Sequence, residues 1–269
     1  KLPDFLQKML DSNMLGSKTG KGFYKKIKDD NGKSKILALD LNTFEYNEQK
    51  KVSYETLKNA RKCKKRDEKF KTLISGNDKA SEFYKENFAR MFGYIQNRIP
   101  EISNDIISID AALKTGFGWK DGPFEIWNYI GVKEGVDLMK NFDLKPARWI
   151  NEMIKKNTNN FYRINNGFRE YYDINSNSFN KIAGQDGFVI LKNTPENKVI
   201  WSNNEAKLID IGDGILNLEF GSKMNSINQN IIKALDKSID IAEKDFKGLV
   251  LGNESDHFSA GADISVIFL

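Results

Sequence analysis

The sequence predicts a mainly α protein that passes into a truncated α/β segment. Three observations carry this. Residues 79–155 hold the strongest helical periodicity of apolar residues. From Ala206 the period changes, and two strands, a helix and a further strand follow in ββαβ order. Finally, the strand Gly248-Leu249-Val250-Leu251 runs through a polar turn into Phe258-Ser259-Ala260-Gly261-Ala262-Asp263-Ile264, where small residues can open a helix.

The composition narrows the class. The chain has 269 residues, enough for about two domains by length. Hydrophobic content of 39% against 29% charged reads as globular rather than disordered. Net charge is +5, with lysine spread along the chain and interleaved with Asp and Glu. That pattern describes a solvated surface more than a nucleic-acid patch, and it is compatible with a polyanionic small ligand. The lone cysteine, Cys63, excludes an internal disulfide and points to a reducing, cytoplasmic setting. With one His, His257, a His/Cys zinc site has too few ligands. No apolar run reaches the roughly 18 residues of a membrane span. The start, Lys1-Leu2-Pro3-Asp4-Phe5, has neither Met nor a signal-peptide core, and an internal fragment is expected.

The elements follow in order. Leu6, Met9 and Leu10 predict a helix over 3–15, ended by Gly16 in left-handed conformation. Gly16-Ser17-Lys18-Thr19-Gly20-Lys21-Gly22-Phe23-Tyr24 reads as a glycine-punctuated turn closed by aromatics. Its Gly20-Lys21 lacks the spacing and the following Ser/Thr of a phosphate loop. Residues 27–78 read as a polar connector, with a turn at 29–32 and a lysine-rich amphipathic helix over 54–75. In 79–155, Phe83, Phe88, Met91, Phe92 and Ile95 form one apolar face. Pro100 interrupts it, and Ile102, Ile106, Ile107 and Ile109 resume it. Gly116-Phe117-Gly118-Trp119 and Gly122-Pro123-Phe124-Glu125-Ile126-Trp127 predict a tight turn with aromatics packed beneath it. Pro123 suits a first helical turn, and Glu125 suits its positive end. This helix end and turn echo residues 9–24 as a weak internal repeat.

Residues 156–203 are Asn-rich and read as a linker with a small β excursion. Leu208, Ile211, Ile215, Leu216 and Leu218 predict two strands around Gly212-Asp213-Gly214. Ile231, Ile232, Leu235 and Ile239 give one face of a helix over 226–245, and Leu249-Val250-Leu251 reads as a buried strand.

Two chemistries fit Ala260-Gly261-Ala262 after that strand. Backbone N–H groups at a strand-to-helix turn can converge on a developing oxyanion, aided by the helix dipole. Small residues there also allow close helix–strand packing. Asp263 fits either a ligand contact or a helix-start carboxylate. Cys63, within Arg61-Lys62-Cys63-Lys64-Lys65-Arg66, has no His nearby in sequence and reads as a bystander.

Three blocks resemble known families. Leu15-Gly16-Ser17-Lys18-Thr19-Gly20-Lys21-Gly22-Phe23-Tyr24 is similar to the end of the C-terminal helical domain of 3-hydroxyacyl-CoA dehydrogenases. Ile109-Asp110-Ala111-Ala112 through Trp119 to Trp127 resembles the second copy of that domain in multifunctional β-oxidation enzymes, and Asn97-Arg98 resembles the Asn-Arg pair of the first copy. Residues 206–267 are similar to the opening of the enoyl-CoA hydratase (crotonase) domain. There the marks are Ile211-Gly212-Asp213-Gly214, Lys223-Met224-Asn225 and Phe258-Ser259-Ala260-Gly261-Ala262-Asp263. The order is that of fusions with dehydrogenase first and hydratase second. The implied divisions are 1–26, 27–78, 79–155, 156–203 and 204–269.

The resemblance implies a fatty-acid β-oxidation enzyme that hydrates enoyl-CoA and oxidises 3-hydroxyacyl-CoA with NAD. It implies an NAD-binding domain before Lys1 and the acid/base carboxylates after Leu269, so that this stretch alone turns over neither reaction. Acyl-CoA is the implied substrate, and no metal is implied. By resemblance the Ala262 N–H is one oxyanion donor, while Ser222, Met224, Ala260, Asp263 and Ile264 line the acyl-CoA path. The helical repeats are implied to self-associate or to pack on the missing domains. Phe117, Trp119, Phe124 and Trp127 read as structural. Asn97 fits a substrate contact or a helix-boundary hydrogen bond. The alternative reading is a non-catalytic helical module whose basic helix grips an acidic partner or RNA, although no interleaved aromatics there support base stacking.

Overall fold

In the computed structural model, residues 2–29, 31–49, 52–255 and 257–264 are described. The chain divides into two compact units, residues 1–58 and 59–269.

In the first unit, helix α1 (Asp4–Asp11) packs on an antiparallel sheet of β1 (Tyr24–Lys28), β2 (Ser34–Leu39) and β3 (Tyr46–Glu48). Met9, Met14 and Leu39 form its core, with Phe5, Leu6, Phe44 and Tyr46 packed around them. The helix ends at Asp11, before the predicted Gly16. Gly16 instead sits in the next turn at φ 89°, and a Cβ on Gly22 would lie 2.7 Å from its Cα. Backbone crossing, rather than helix capping, therefore explains both glycines.

The second unit opens on helices. The predicted 54–75 helix is two: α2 (Glu55–Lys62) and α3 (Arg66–Ser75). Then come α4 (Lys79–Ile95), α5 (Ile106–Phe117), α6 (Pro123–Ile130), α7 (Val132–Lys140) and α8 (Arg148–Lys155). Asp78 and Asp105 cap α4 and α5 by accepting the Ser81 and Ser108 N–H groups. Pro123 is the first residue of α6, as predicted. Trp127 is fully buried, stacked on Phe92 at 4.6 Å and set edge-on to Phe161 at 5.1 Å. Its Nε1–H donates to the Val132 carbonyl. Phe117 and Trp119 depart from the prediction: they are 76% and 41% exposed, so the turn's own aromatics do not pack beneath it.

A three-stranded antiparallel meander follows: β4 (Tyr162–Asn165), β5 (Phe168–Asp173) and β6 (Ser178–Lys181). Asn128 Oδ1 ties it to α6 by accepting the N–H groups of Phe161 and Tyr162. The last sheet has the order β10-β9-β8-β7, from β7 (Val199–Ser202), β8 (Ala206–Gly212), β9 (Ile215–Phe220) and β10 (Gly248–Leu251). Strands β8 and β9 meet at Gly212-Asp213-Gly214, where all three residues have positive φ. Helix α9 (Gln229–Asp245) is capped by Asn228 Oδ1 and covers one face of this sheet. Ile231, Ala234, Ser238 and Ala242 are its buried face, whereas Ile232 and Ile239 are exposed. Strand β10 pairs parallel to β9 at the sheet edge, and its Val250 and Leu251 are exposed rather than buried.

The prediction of a mainly α chain is thus overturned. Three small sheets alternate with the helices, and the architecture is an α/β mixture. The last four-stranded sheet with its single helix does not establish a crotonase-type domain. The misreading arose where short strands carry few apolar residues, as in Tyr24-Lys25-Lys26-Ile27-Lys28.

Candidate functional site

The predicted site residues gather where two loops meet. One follows β9 and runs through a 3-10 turn at Lys223–Asn225. The other follows β10 and reaches Ile264. Met224 and Asn225 both have positive φ, 55° and 51°, a conformation uncommon for non-glycine residues and found at strained functional turns. It brings carbonyls of the first loop to the second. The Ala260 N–H donates to the Met224 carbonyl at 3.1 Å. The Ser259 hydroxyl donates to the Asn225 carbonyl at 2.7 Å and accepts the Gly261 N–H at 3.0 Å.

The decisive geometry is a parallel bridge between Ile227 and Ala262. The Ile227 N–H donates to the Gly261 carbonyl, and the Asp263 N–H donates to the Ile227 carbonyl, both at 2.9 Å. In such a bridge the flanking peptide groups make the bonds, so the middle residue turns its own N–H away from the partner strand. The Ala262 N–H has no acceptor among the described residues, and Ala262 is exposed. Met224, Phe258 and Ile264 are exposed apolar neighbours in these same loops. Phe258 is seated on Phe220, with ring centroids 6.0 Å apart. The arrangement is an exposed Ala262 whose N–H turns from its bridge partner, in loops that also carry exposed apolar side chains.

The other predicted residues fall as follows. Ala260 and Ile264 are exposed, and Asp263 is half-buried. Ser222 is buried, its hydroxyl donated to the Ser226 carbonyl at 2.7 Å. The helix expected to open beyond Ile264 falls on residues 265–269, outside the described residues. His257 is exposed, and its carbonyl accepts from Asn225 Nδ2. Asn97 donates to the Gly93 carbonyl at 2.9 Å, the helix-boundary bond. Cys63 Sγ lies 3.4 Å from the Asn59 carbonyl oxygen and 3.5 Å from Thr72 Oγ1. Asn225 and Ile227, which hold the loops together, were not singled out as site residues. The available signal is an Asn in the loop after a strand, since Asn tolerates left-handed backbone.

A second polar cluster lies in the helical block. Asp110 on α5 accepts the Phe124 and Glu125 N–H groups at the start of α6, at 2.7 and 3.1 Å, and the Tyr162 hydroxyl at 2.7 Å. Burial pushes its carboxyl up to about 7, against the pull of these donors. Glu125 accepts the Gly122 N–H at 2.7 Å, and also Lys114 and Arg169 at 3.0 and 2.8 Å. Burial raises its carboxyl, but the Gly122 N–H and the two cations outweigh that and hold it below the ordinary range. The donors come from the start of α6, from Lys114 in the last turn of α5 and from the adjoining sheet, so the cluster joins α5, α6 and the meander. Among the described residues, no three His, Cys, Asp or Glu side chains group as a metal site, and no helix is long and apolar enough to cross a membrane.

Comparison with known proteins gives likenesses of two degrees. No family model matches the chain, and no solved structure matches it. The chain is similar to putative fatty acid oxidation complex trifunctional enzymes. That of Rickettsia prowazekii is 29% identical over 263 residues, 97% of this chain and 31% of its own length. That of Rickettsia felis is 29% identical over 265 residues, 97% of this chain and 32% of its own length. More particularly, a probable 3-hydroxyacyl-CoA dehydrogenase of Bacillus subtilis is 36% identical over 270 residues, covering this whole chain and 33% of its own length. The chain therefore spans about a third of the length of the curated relatives it matches.

Proposed function

We propose that this chain is part of a fatty-acid oxidation enzyme that oxidises 3-hydroxyacyl-CoA and also hydrates enoyl-CoA. The likeness to the dehydrogenase and trifunctional relatives supports the first activity. The hydration half rests on one observation, the Ala262 N–H that the Ile227 bridge turns away and that has no acceptor among the described residues. In this reading residues 1–26 and 79–155 are dehydrogenase-type C-terminal repeats, 27–78 is the connector between them, 156–203 is a linker, and 204–269 open the hydratase part. The setting is cytoplasmic. The exposed Phe117 and Trp119 belong to a surface for self-association or for packing on other domains.

Hydration adds water across the enoyl double bond, and the thioester oxygen gains charge as an enolate forms. The Ala262 N–H donates to that oxygen. Because the bridge fixes it beforehand, the donor needs no reorganisation when the charge develops. Met224, Ala260 and Ile264 flank the acyl-CoA path, with Asp263 at its edge and Ser222 bracing the loop from within. NAD would accept hydride in the dehydrogenase reaction. Among the described residues no Gly-rich strand-to-helix turn is placed to hold it.

The test uses the full-length protein. Ala262→Pro deletes the donor, and Ala262→Gly keeps it. Pro is expected to lower kcat for crotonyl-CoA hydration by about 10² or more, the usual loss for one oxyanion donor, and Gly by much less. Oxidation of 3-hydroxybutyryl-CoA should persist in both. Folded Ala262→Pro protein hydrating at a near-native rate would refute the assignment.

A further inference from the structure

We propose that Asn225 is the positioning residue that aims the Ala262 N–H, a role that rests on the hydration reading above. Asn225 is 6% exposed, whereas Ala262 lies open to solvent. Its side-chain amide reaches across to the other loop twice. Nδ2 donates to Ser255 Oγ at 2.7 Å and to the His257 carbonyl at 3.0 Å, 30 and 32 residues further along the chain. Its own carbonyl accepts the Ser259 hydroxyl, which in turn accepts the Gly261 N–H. Asn225 thus holds the approach to Ala262 at residues 255, 257 and 259. Its near neighbours Met224 and Ile227 hold residues 260, 261 and 263. Residues 259, 260, 261 and 263 around Ala262 are thus fastened, while the Ala262 N–H has no acceptor among the described residues.

The backbone of Asn225 is part of the device. At φ 51°, following Met224 at 55°, two consecutive carbonyls face the second loop. A residue restricted to negative φ would turn these carbonyls elsewhere and release Ala260 and Ser259 together. Asn accepts the left-handed region and supplies the amide, and among the twenty side chains only Asn combines the two at this length. Oxyanion donors act through fixed orientation, so loosening this fastening should lower the rate at bound substrate more than the affinity.

Two substitutions in the full-length protein separate the parts. Asn225→Gly keeps the left-handed backbone and deletes the amide. Asn225→Asp keeps length and conformation, but replaces the donor facing the His257 carbonyl with an acceptor. For both we expect kcat for crotonyl-CoA hydration to fall about tenfold or more. KM should move by less than about threefold, with NAD-dependent oxidation of 3-hydroxybutyryl-CoA retained. Hydrogen–deuterium exchange over 258–263 should speed up in both, while β8 and β9 stay protected. A kcat within about twofold of wild type in either folded variant overturns the proposal. So does unchanged exchange over 258–263, or a parallel fall in both activities with the melting temperature, which would mark a merely structural role. Wild-type protein that does not hydrate crotonyl-CoA would instead refute the hydration reading. The exchange comparison would then decide by itself whether Asn225 fastens the loop.

Discussion

Replacing Gly135 with Ala is the most demanding test of the helical core. Gly135 lies inside α7, where Ala is ordinarily the better residue by roughly 1 kcal/mol. On sequence grounds alone, the substitution should stabilise. The structure reverses the sign. A Cβ at Gly135 would overlap Nε1 of Trp127 and lie 2.5 Å from Cδ1 and 2.9 Å from Cε2. The indole has nowhere to go, because Phe92 is stacked on it and Phe161 meets its edge. Any shift also weakens the bond from Nε1 to the Val132 carbonyl, worth about 1 kcal/mol. Overpacking of a filled core costs about 1–3 kcal/mol. Set against the propensity gain, Gly135→Ala should destabilise by about 2 kcal/mol. A urea melt followed by tryptophan fluorescence reads the right unit, since Trp119, Trp127, Trp149 and Trp201 all lie in residues 59–269. Trp127→Phe removes the clashing ring, so Gly135→Ala in that background should recover most of the loss. Stabilisation by Gly135→Ala in the wild-type background would refute this packing.

Trp127→Ala should cost about 3–5 kcal/mol in the same melt, because the ring is fully buried; a change under about 0.5 kcal/mol would contradict that burial. Asp110→Ala should cost about 3 kcal/mol or more by stranding the Phe124 and Glu125 N–H groups and the Tyr162 hydroxyl. The Asp110 carboxyl, raised to about 7, holds its proton in the folded state at pH values where the unfolded chain has lost it. Its contribution is therefore present below about pH 4 and is lost as pH rises towards about 7, and Asp110→Asn should flatten that decline in pH-dependent melts. Glu125 acts oppositely: its lowered carboxyl contributes above the ordinary carboxylate range and loses that contribution on acidification, so Glu125→Gln should blunt the acid limb. Tyr162→Phe removes a bond that lowers the Asp110 carboxyl, and should move the Asp110 decline to higher pH.

What was legible in the sequence follows the density of local signal. The turn at Gly212-Asp213-Gly214, Pro123 at the head of α6, and the helix after Asn228 all rest on residues whose preferences act within a few positions. The meander at 162–181 was not legible as a sheet. Its strands, Tyr162-Arg163-Ile164-Asn165 and Phe168-Arg169-Glu170-Tyr171-Tyr172-Asp173, carry charges on both faces. They are held by Asn128 and by the Arg169–Glu125 pair, contacts 33 and 44 residues distant. Phe117 and Trp119 misled for the converse reason: aromatic rings beside glycines resemble core in composition, but these project outward, and Phe124, Trp127 and Phe161 fill the space instead.

The site divides along the same line. Ala262 is legible because the proposed chemistry belongs to the backbone, and small residues after an apolar strand mark places where backbone can be presented. Ile227 carries no local mark and Asn225 only its tolerance of left-handed backbone, because their effect lies in bonds to residues thirty or more positions away. In the proposed reading the bridge to Ile227 engages the Gly261 carbonyl and the Asp263 N–H on either side of Ala262, and so sets the direction of the donor between them. In the proposed reading the motif after β10 marks the donor, while the loop that orients it follows β9, the parallel neighbour of β10. An Asn there, able to take positive φ and to donate twice, is the feature to look for.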